Sequence, residues 1–252
     1  MTEPLTLIFD VDGTLADTEK DGHRVAFNQA FAEVGLDWEW SIPLYGELLA
    51  IAGGKERIKF YIDKYKPNLS SSLPLPELIS NLHKSKTNYY RELLRTGAIP
   101  LRPGVERLLK EARGNNMRLA IATTTTMANV EALLEYTLGK ESISWFEIIG
   151  AGDIVPAKKP APDIYLYVLE KMNIQAENCI AFEDSYNGLQ SAVQSGLKTI
   201  VTVTDYTRNQ DFTGATLVLD NLGEPEKSFT VISGDTKDRT YCDLKLIEFF
   251  QD

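Results

Sequence analysis

Apolar residues form short unbroken runs in some parts of this chain and recur at helical spacing in others, and the alternation of the two outlines the fold. Leu5-Thr6-Leu7-Ile8-Phe9 is a short run closed by a turn signal, which reads as a buried strand. From about Asp21 to Thr96 there is no strand pattern. Ala26, Phe27, Ala30, Phe31 and Val34 share one helical face that ends at Gly35. Leu44 to Ala50 predicts a second helix, broken at Gly53-Gly54, and Ile58, Phe60, Tyr61 and Tyr65 mark a third that ends near Pro67. The Ser- and Pro-rich stretch from Pro67 to Pro76 reads as a loop. Leu78, Leu82, Tyr89, Tyr90, Leu93 and Leu94 then predict a long helix.

From Pro100 the rhythm changes to helix, strand, helix, strand. Helices are expected at Val105 to Ala112, Val130 to Leu138, Ile164 to Met172 and Leu189 to Ser195. Strands are expected at Arg118 to Ala122, Phe146 to Ile149, Cys179 to Phe182 and Lys198 to Val203. Such alternation predicts a parallel sheet covered on both faces, an α/β core of the Rossmann-like, doubly wound kind. The helical stretch interrupts that core after its first strand. The expected division is therefore 1–17 with 97–252 for the α/β domain and 18–96 for an inserted all-α domain. Beyond about Gly223 the pattern weakens.

Composition narrows the function classes. With 252 residues, 43% hydrophobic and 25% charged, the chain can bury a full core. No apolar stretch approaches the roughly 20 residues of a membrane helix. A net charge of −10 argues against nucleic acid and anionic membranes as partners, since both require a basic footprint. A phosphorylated substrate then needs its positive charge to be local. Cys179 and Cys242 have neither the number nor the spacing of a metal knuckle or a disulfide framework, so a reduced, cytosol-like compartment fits. Met1-Thr2-Glu3-Pro4 has no basic n-region, and no signal or transit peptide is visible; plastid stroma would require one to have been removed. No long apolar helix is left over, which favours a monomer.

Four short features fall at the ends of the expected strands, or just after one, and in a parallel sheet these share one edge, the edge where ligands bind. They are Asp10 and Asp12, the cluster Thr123-Thr124-Thr125-Thr126, Lys158-Lys159-Pro160, and Glu183-Asp184-Ser185. Singly, each has a plain alternative: a solvated Asp turn, a helix cap, a loop lysine. Together they bring paired carboxylates able to share Mg²⁺, a hydroxyl donor and an ammonium to one point, the set a phosphoryl group in transfer needs.

These residues carry a resemblance. Asp10-Val11-Asp12-Gly13-Thr14, Thr123, Lys159 and Glu183-Asp184, in that order, resemble the four motifs of the haloacid dehalogenase-like superfamily, and the helical insertion sits where its members carry a cap. His23-Arg24-Val25-Ala26-Phe27-Asn28, Gly53-Gly54-Lys55-Glu56-Arg57, Leu101-Arg102-Pro103-Gly104, Lys158 to Tyr165 and Tyr206-Thr207-Arg208 are similar to CbbY-type sugar-bisphosphate phosphatases. The resemblance implies Asp10 as nucleophile, Asp12 as general acid and base, Thr123 as donor to a phosphate oxygen and Lys159 as charge neutraliser. It implies Mg²⁺ on Asp10, the backbone carbonyl of Asp12 and Asp184, with Glu183 orienting a metal-bound water. The lysine directly before Pro160 is the one that matches, hence Lys159 rather than Lys158.

Specificity is expected from the insertion. Gly53-Gly54-Lys55-Glu56-Arg57 looks like a loop entering a helix, where backbone N–H groups can approach an anion and Arg57 can grip it bidentately. His23 and Lys86 are further candidates from the same domain, with Thr124, Thr125 and Thr126 from the core. Asp17 and Glu19 can accept from sugar hydroxyls. Lys20-Asp21-Gly22 sets His23 one residue later after Asp17 than in some relatives. Two phosphate-binding groups suit a substrate phosphorylated at both ends. The resemblance implies xylulose 1,5-bisphosphate, hydrolysed to xylulose 5-phosphate and phosphate, which removes an inhibitor of the CO₂-fixing carboxylase. A phosphohexose mutase, or a phosphatase of another small phosphorylated metabolite, is the alternative. A catalytically silent module is disfavoured by four intact motifs. A dinucleotide oxidoreductase fails because Val155 stands where Gly150-x-Gly152 needs its third glycine.

Overall fold

A computed structural model describes residues 4–51, 53–69 and 73–251, so part of the Pro67 to Pro76 loop lies outside the described residues. The chain divides into two compact units, Met1–Asp17 with Pro100–Asp252, and Thr18–Ile99. The helical unit thus runs past the expected 96, because Ile99 is buried and packs on Gly22 of that unit.

The α/β unit is built on β1 (Thr6–Phe9), β2 (Arg118–Ala122), β3 (Ile148–Gly150), β4 (Cys179–Glu183), β5 (Lys198–Thr202), β6 (Leu217–Leu219) and β7 (Val231–Ser233). They form one sheet in the order β3-β2-β1-β4-β5-β6-β7. Every pair is parallel except β6–β7. This is the expected α/β Rossmann-like fold. All four residues of β1 are buried, the mark of a central strand covered on both faces.

Register places the chemistry. Phe9 lies opposite Ile121 of β2 on one side and Phe182 of β4 on the other, and its ring stacks on that of Phe182 at 4.4 Å. The next residue on each strand, Asp10, Ala122 and Glu183, therefore emerges at the same level of the carboxyl edge.

Several boundaries move for local reasons. The strand expected at Phe146 to Ile149 is Ile148–Gly150, because a 3₁₀ turn occupies Lys140–Trp145. The helix expected from Leu189 begins at Tyr186, where Ser185 caps it by accepting from the Gly188 N–H at 3.2 Å. The weak pattern beyond about Gly223 hides two elements, β7 and a short terminal helix (Leu244–Phe249), and β6, just before it, is a further strand the pattern does not predict. Asp243 caps that helix by accepting from Leu246 N–H at 2.9 Å.

The Thr18–Ile99 unit contains α1 (Arg24–Glu33), α2 (Ile42–Leu48), α3 (Gly54–Tyr65) and α4 (Leu75–Arg95). Its core is aromatic: Phe27, Phe31, Trp40 and Tyr45 are fully buried and meet ring to ring. Val34 falls off the expected apolar face and is exposed, because α1 stops at Glu33 and Gly35 turns the chain in the left-handed region. Before α1, Glu19–His23 is one turn of π-helix. His23 closes that turn and leads directly into α1. A Cβ on Gly22 would run into Ile99 and Tyr90, so this turn admits only glycine without repacking. Among the described residues no helix is long and apolar enough to cross a membrane.

Candidate active site

At the carboxyl edge of the sheet one ammonium serves two carboxylates. Lys159 Nζ donates to Asp10 Oδ1 at 2.7 Å, to Glu183 Oε1 at 2.6 Å and to the Ala122 carbonyl at 2.8 Å, so its three protons are all engaged. Lys158 turns away to pair with Asp153 at 3.0 Å. Glu183 Oε1 also accepts from Tyr165 Oη at 2.5 Å, while its Oε2 is buried with no hydrogen-bond partner among the described residues. Lys159, Asp10, Glu183 and Asp184 are all buried.

The electrostatics arise from that burial. Desolvation pushes the Asp10 carboxyl from its ordinary 3.8 up to about 7; Lys159 opposes the shift and Glu183 adds to it. Asp184 is held well above its usual range by burial and by Asp10 and Glu183. Burial would lower Lys159, but the two carboxylates outweigh it and raise its pKa. Asp10, Glu183 and Asp184 each offer an oxygen within 4.8 Å of the others. Three buried carboxylates face the Lys159 ammonium and, beside Asp184, the Arg102 guanidinium, which leaves an excess of negative charge, and hard oxygen donors so grouped fit a divalent cation such as Mg²⁺. Gly13 makes the grouping possible: its φ is +86°, and a Cβ there would collide with the Asp184 carboxylate.

Asp12 is half-buried and adds no carboxylate to this group; its turn is closed by Gly13 N–H donating to the Ala16 carbonyl at 2.8 Å. Thr123 is buried directly after β2, with its backbone N–H donating to the Gly150 carbonyl at 2.9 Å. Thr125 is half-buried, its hydroxyl accepting from Asn129, whereas Thr124 and Thr126 are exposed. Asp17, half-buried, is the last residue of the first segment of this unit.

The expected binding residues of the helical unit hold one another. Arg57 is buried, donates to Tyr45 Oη at 2.7 Å and lies 3.7 Å from Glu19 Oε2. Tyr45 Oη in turn donates to Glu19 at 2.5 Å. Lys86, on the buried face of α4, sits 2.9 Å from His23 Nδ1 and over the rings of Phe27 and Tyr90. At the start of α3, Lys55 and Glu56 are exposed. The Glu56 carboxylate folds back over Gly53, where it occupies the helix end expected to receive an anion.

Sequence reasoning assigned no role to Tyr165, Tyr45 or His83. A tyrosine within a buried aliphatic pattern was the available signal for Tyr165, since its hydroxyl needs a partner. His83 packs against Gly54, where a Cβ would come within 2.7 Å of its ring. Burial, helped by Lys86 and Lys55, lowers its pKa from 6.5 to about 4. The fold therefore prefers neutral His83, and its contribution is complete above pH 6.5 and lost as the pH falls towards 4. His83→Gln should flatten the fall in thermal stability over that window by about 1–2 kcal/mol, after allowance for solvent screening. Unfolding curves at pH 7 and 4.5 test this, and parallel losses in both proteins would refute it.

A sequence model of the haloacid dehalogenase-like hydrolases matches residues 5–196, and the chain belongs to that family. The plasmid CbbY protein of Cupriavidus necator is 50% identical over 219 residues, 87% of this chain and 86% of the relative. The phosphorylated carbohydrates phosphatase of Thermotoga maritima is 31% identical over 207 residues, 77% of this chain and 82% of that protein. The crystal structure of a CbbY mutant from Rhodobacter sphaeroides in complex with xylulose 1,5-bisphosphate has a TM-score of 0.80 and 44% identity, covering 86% of this chain and 94% of that one. Within the family this chain is a phosphatase of the CbbY type.

Proposed function

We propose that the enzyme is a Mg²⁺-dependent sugar-bisphosphate phosphatase whose substrate is xylulose 1,5-bisphosphate. The observation that carries the reading is the Asp10 carboxylate, held by Lys159 at the end of β1 within a group of three buried carboxylates. Asp10 attacks phosphorus in line, the phosphorus–sugar oxygen bond breaks, and an aspartyl-phosphate forms. Asp12 gives its proton to the departing sugar oxygen, then takes one from the water that attacks phosphorus and returns Asp10 to the carboxylate. Lys159 neutralises charge beside Asp10, and Thr123 donates to a phosphate oxygen.

Asp10, the Asp12 carbonyl and Asp184 would hold Mg²⁺, with Glu183 acting from behind. The ion would reduce the repulsion between an anionic nucleophile and an anionic phosphate.

The bisphosphate assignment is supported by the ligand of the Rhodobacter sphaeroides complex and by the basic residues of the helical unit, His23, Lys55, Arg57 and Lys86. Asp17 and Glu19 are proposed for the sugar hydroxyls. Such an activity would clear an inhibitor of the CO₂-fixing carboxylase. Both cysteines are buried thiols outside any disulfide, which supports a reducing compartment.

Phosphate release across a panel of sugar mono- and bisphosphates, with Mg²⁺ and with EDTA, tests the reading. Metal-dependent release with xylulose 1,5-bisphosphate far ahead is expected. Broad, weak release would discard the specific substrate. Isomerisation of glucose 1-phosphate without phosphate release would make the enzyme a mutase.

A further inference from the structure

Arg102 follows the helical insertion and lies outside the four motifs, yet it ties the segment that carries the first of them to the ends of two strands that carry none. Its Nη1 donates to the carbonyls of Gly13 and Thr202, the latter at 2.8 Å, and lies 3.4 Å from the Thr202 hydroxyl. Its Nη2 donates to the carbonyls of Val203 at 2.7 Å and Asp220 at 2.6 Å. Its own backbone N–H donates to the Leu15 carbonyl at 2.8 Å, and the neighbouring Leu101 bridges to Ala16. One side chain thus joins the turn after β1 to the ends of β5 and β6.

These acceptors are carbonyls and a hydroxyl, and the guanidinium that serves them is half-buried. Burial lowers the Arg102 pKa, and the charges of Asp184, Asp17, Asp220 and Asp205 oppose that fall. The Gly13 carbonyl is the critical acceptor. Gly13 comes directly after Asp12, and the Asp184 carboxylate packs against its Cα. A shift of this turn would move Asp12 and the surface that seats Asp184 together.

We infer that Arg102 is a positioning residue that fixes the Asp12 turn for proton transfer. The inference rests on the proposed role of Asp12 as acid and base. A lysine keeps the charge but has one nitrogen, which cannot span four carbonyls set on three segments. Arg102→Lys should lower kcat on the sugar bisphosphate roughly 100-fold, the lower part of the range for a positioned acid or base, with KM little changed.

The separating measurement uses p-nitrophenyl phosphate, whose leaving group needs no proton. With Arg102→Lys, the rapid burst of p-nitrophenolate from phosphorylation of Asp10 should keep its wild-type rate. The subsequent turnover, which needs Asp12 as base, should slow along with the sugar-phosphate reaction. A burst slowed as much as the sugar-phosphate reaction, or unchanged kcat on both substrates, overturns the inference. If the lysine variant does not fold, Arg102→Ala supplemented with ethylguanidinium gives the second test. Recovery of kcat supports the inference; failure of that variant to fold or to be rescued makes Arg102 a fold anchor and overturns it. Absence of phosphate release by the wild-type enzyme would instead defeat the proposed function.

Discussion

Asp10→Asn is expected to lower turnover by a factor on the order of 10⁴ or more, about 5.5 kcal/mol of transition-state stabilisation, while the fold stays intact. An amide is isosteric with the carboxylate but cannot open the route through an aspartyl-phosphate. The fold should tolerate the change because the cluster carries excess negative charge, and Lys159 keeps its bonds to Glu183 and to the Ala122 carbonyl. Stability gives a second reading. Burial, and then Glu183, raise the Asp10 carboxyl to about 7 despite Lys159, so the folded protein holds this proton more tightly than the unfolded chain. The associated stability is complete below pH 3.8 and is lost as the pH rises through 7. In EDTA, the melting temperature of Asp10→Asn relative to wild type should therefore climb between pH 4 and 7. Single-turnover phosphate release and calorimetry measure the two effects. Substantial residual turnover would remove Asp10 as nucleophile, and a difference that stays flat with pH would contradict the strained carboxyl.

Lys159→Ala is expected to cost about 3–5 kcal/mol of stability as well as activity, the usual loss when one partner of a buried ion pair is removed. The change strands Asp10 and Glu183, both buried, and leaves the Ala122 carbonyl without its donor. Lys158→Ala removes a pairing to exposed Asp153 and should stay within about 0.5 kcal/mol. Denaturant unfolding of the two variants side by side tests the assignment. Equal losses would mean that the Asp10–Lys159 pair lacks the role its geometry gives it.

The edge that gathers the candidate site was legible because a buried parallel strand is one continuous apolar run, and the residue just beyond that run must stand at the sheet's carboxyl end. Leu7-Ile8-Phe9 before Asp10, Arg118 to Ala122 before Thr123, and Cys179 to Phe182 before Glu183 are such runs, and each matches an observed strand. β6 and β7 were not legible. Three residues carry no periodicity, and the exposed Val231–Ser233 is a strand only through its pairing with β6. In the helical unit, periodicity located the helices but not the partners of their polar residues. Arg57 and Lys86 look like solvated or ligand-binding charges in sequence, yet the structure engages them with Tyr45 and Glu19 and with His23.

The sequence by itself determined the succession of elements and the chemistry at each strand end, because both depend on residues a few positions apart. Only the tertiary structure decided which charges share a neighbour. Lys159 reaches Asp10 and Glu183 across large separations in sequence because sheet register sets those strands side by side. Burial, which no local pattern encodes, then raises the carboxyls and lowers His83. Arg102 shows the same division: its place after the helical insertion is written in the sequence, but its grip on the Gly13, Thr202, Val203 and Asp220 carbonyls exists only once three strand ends converge.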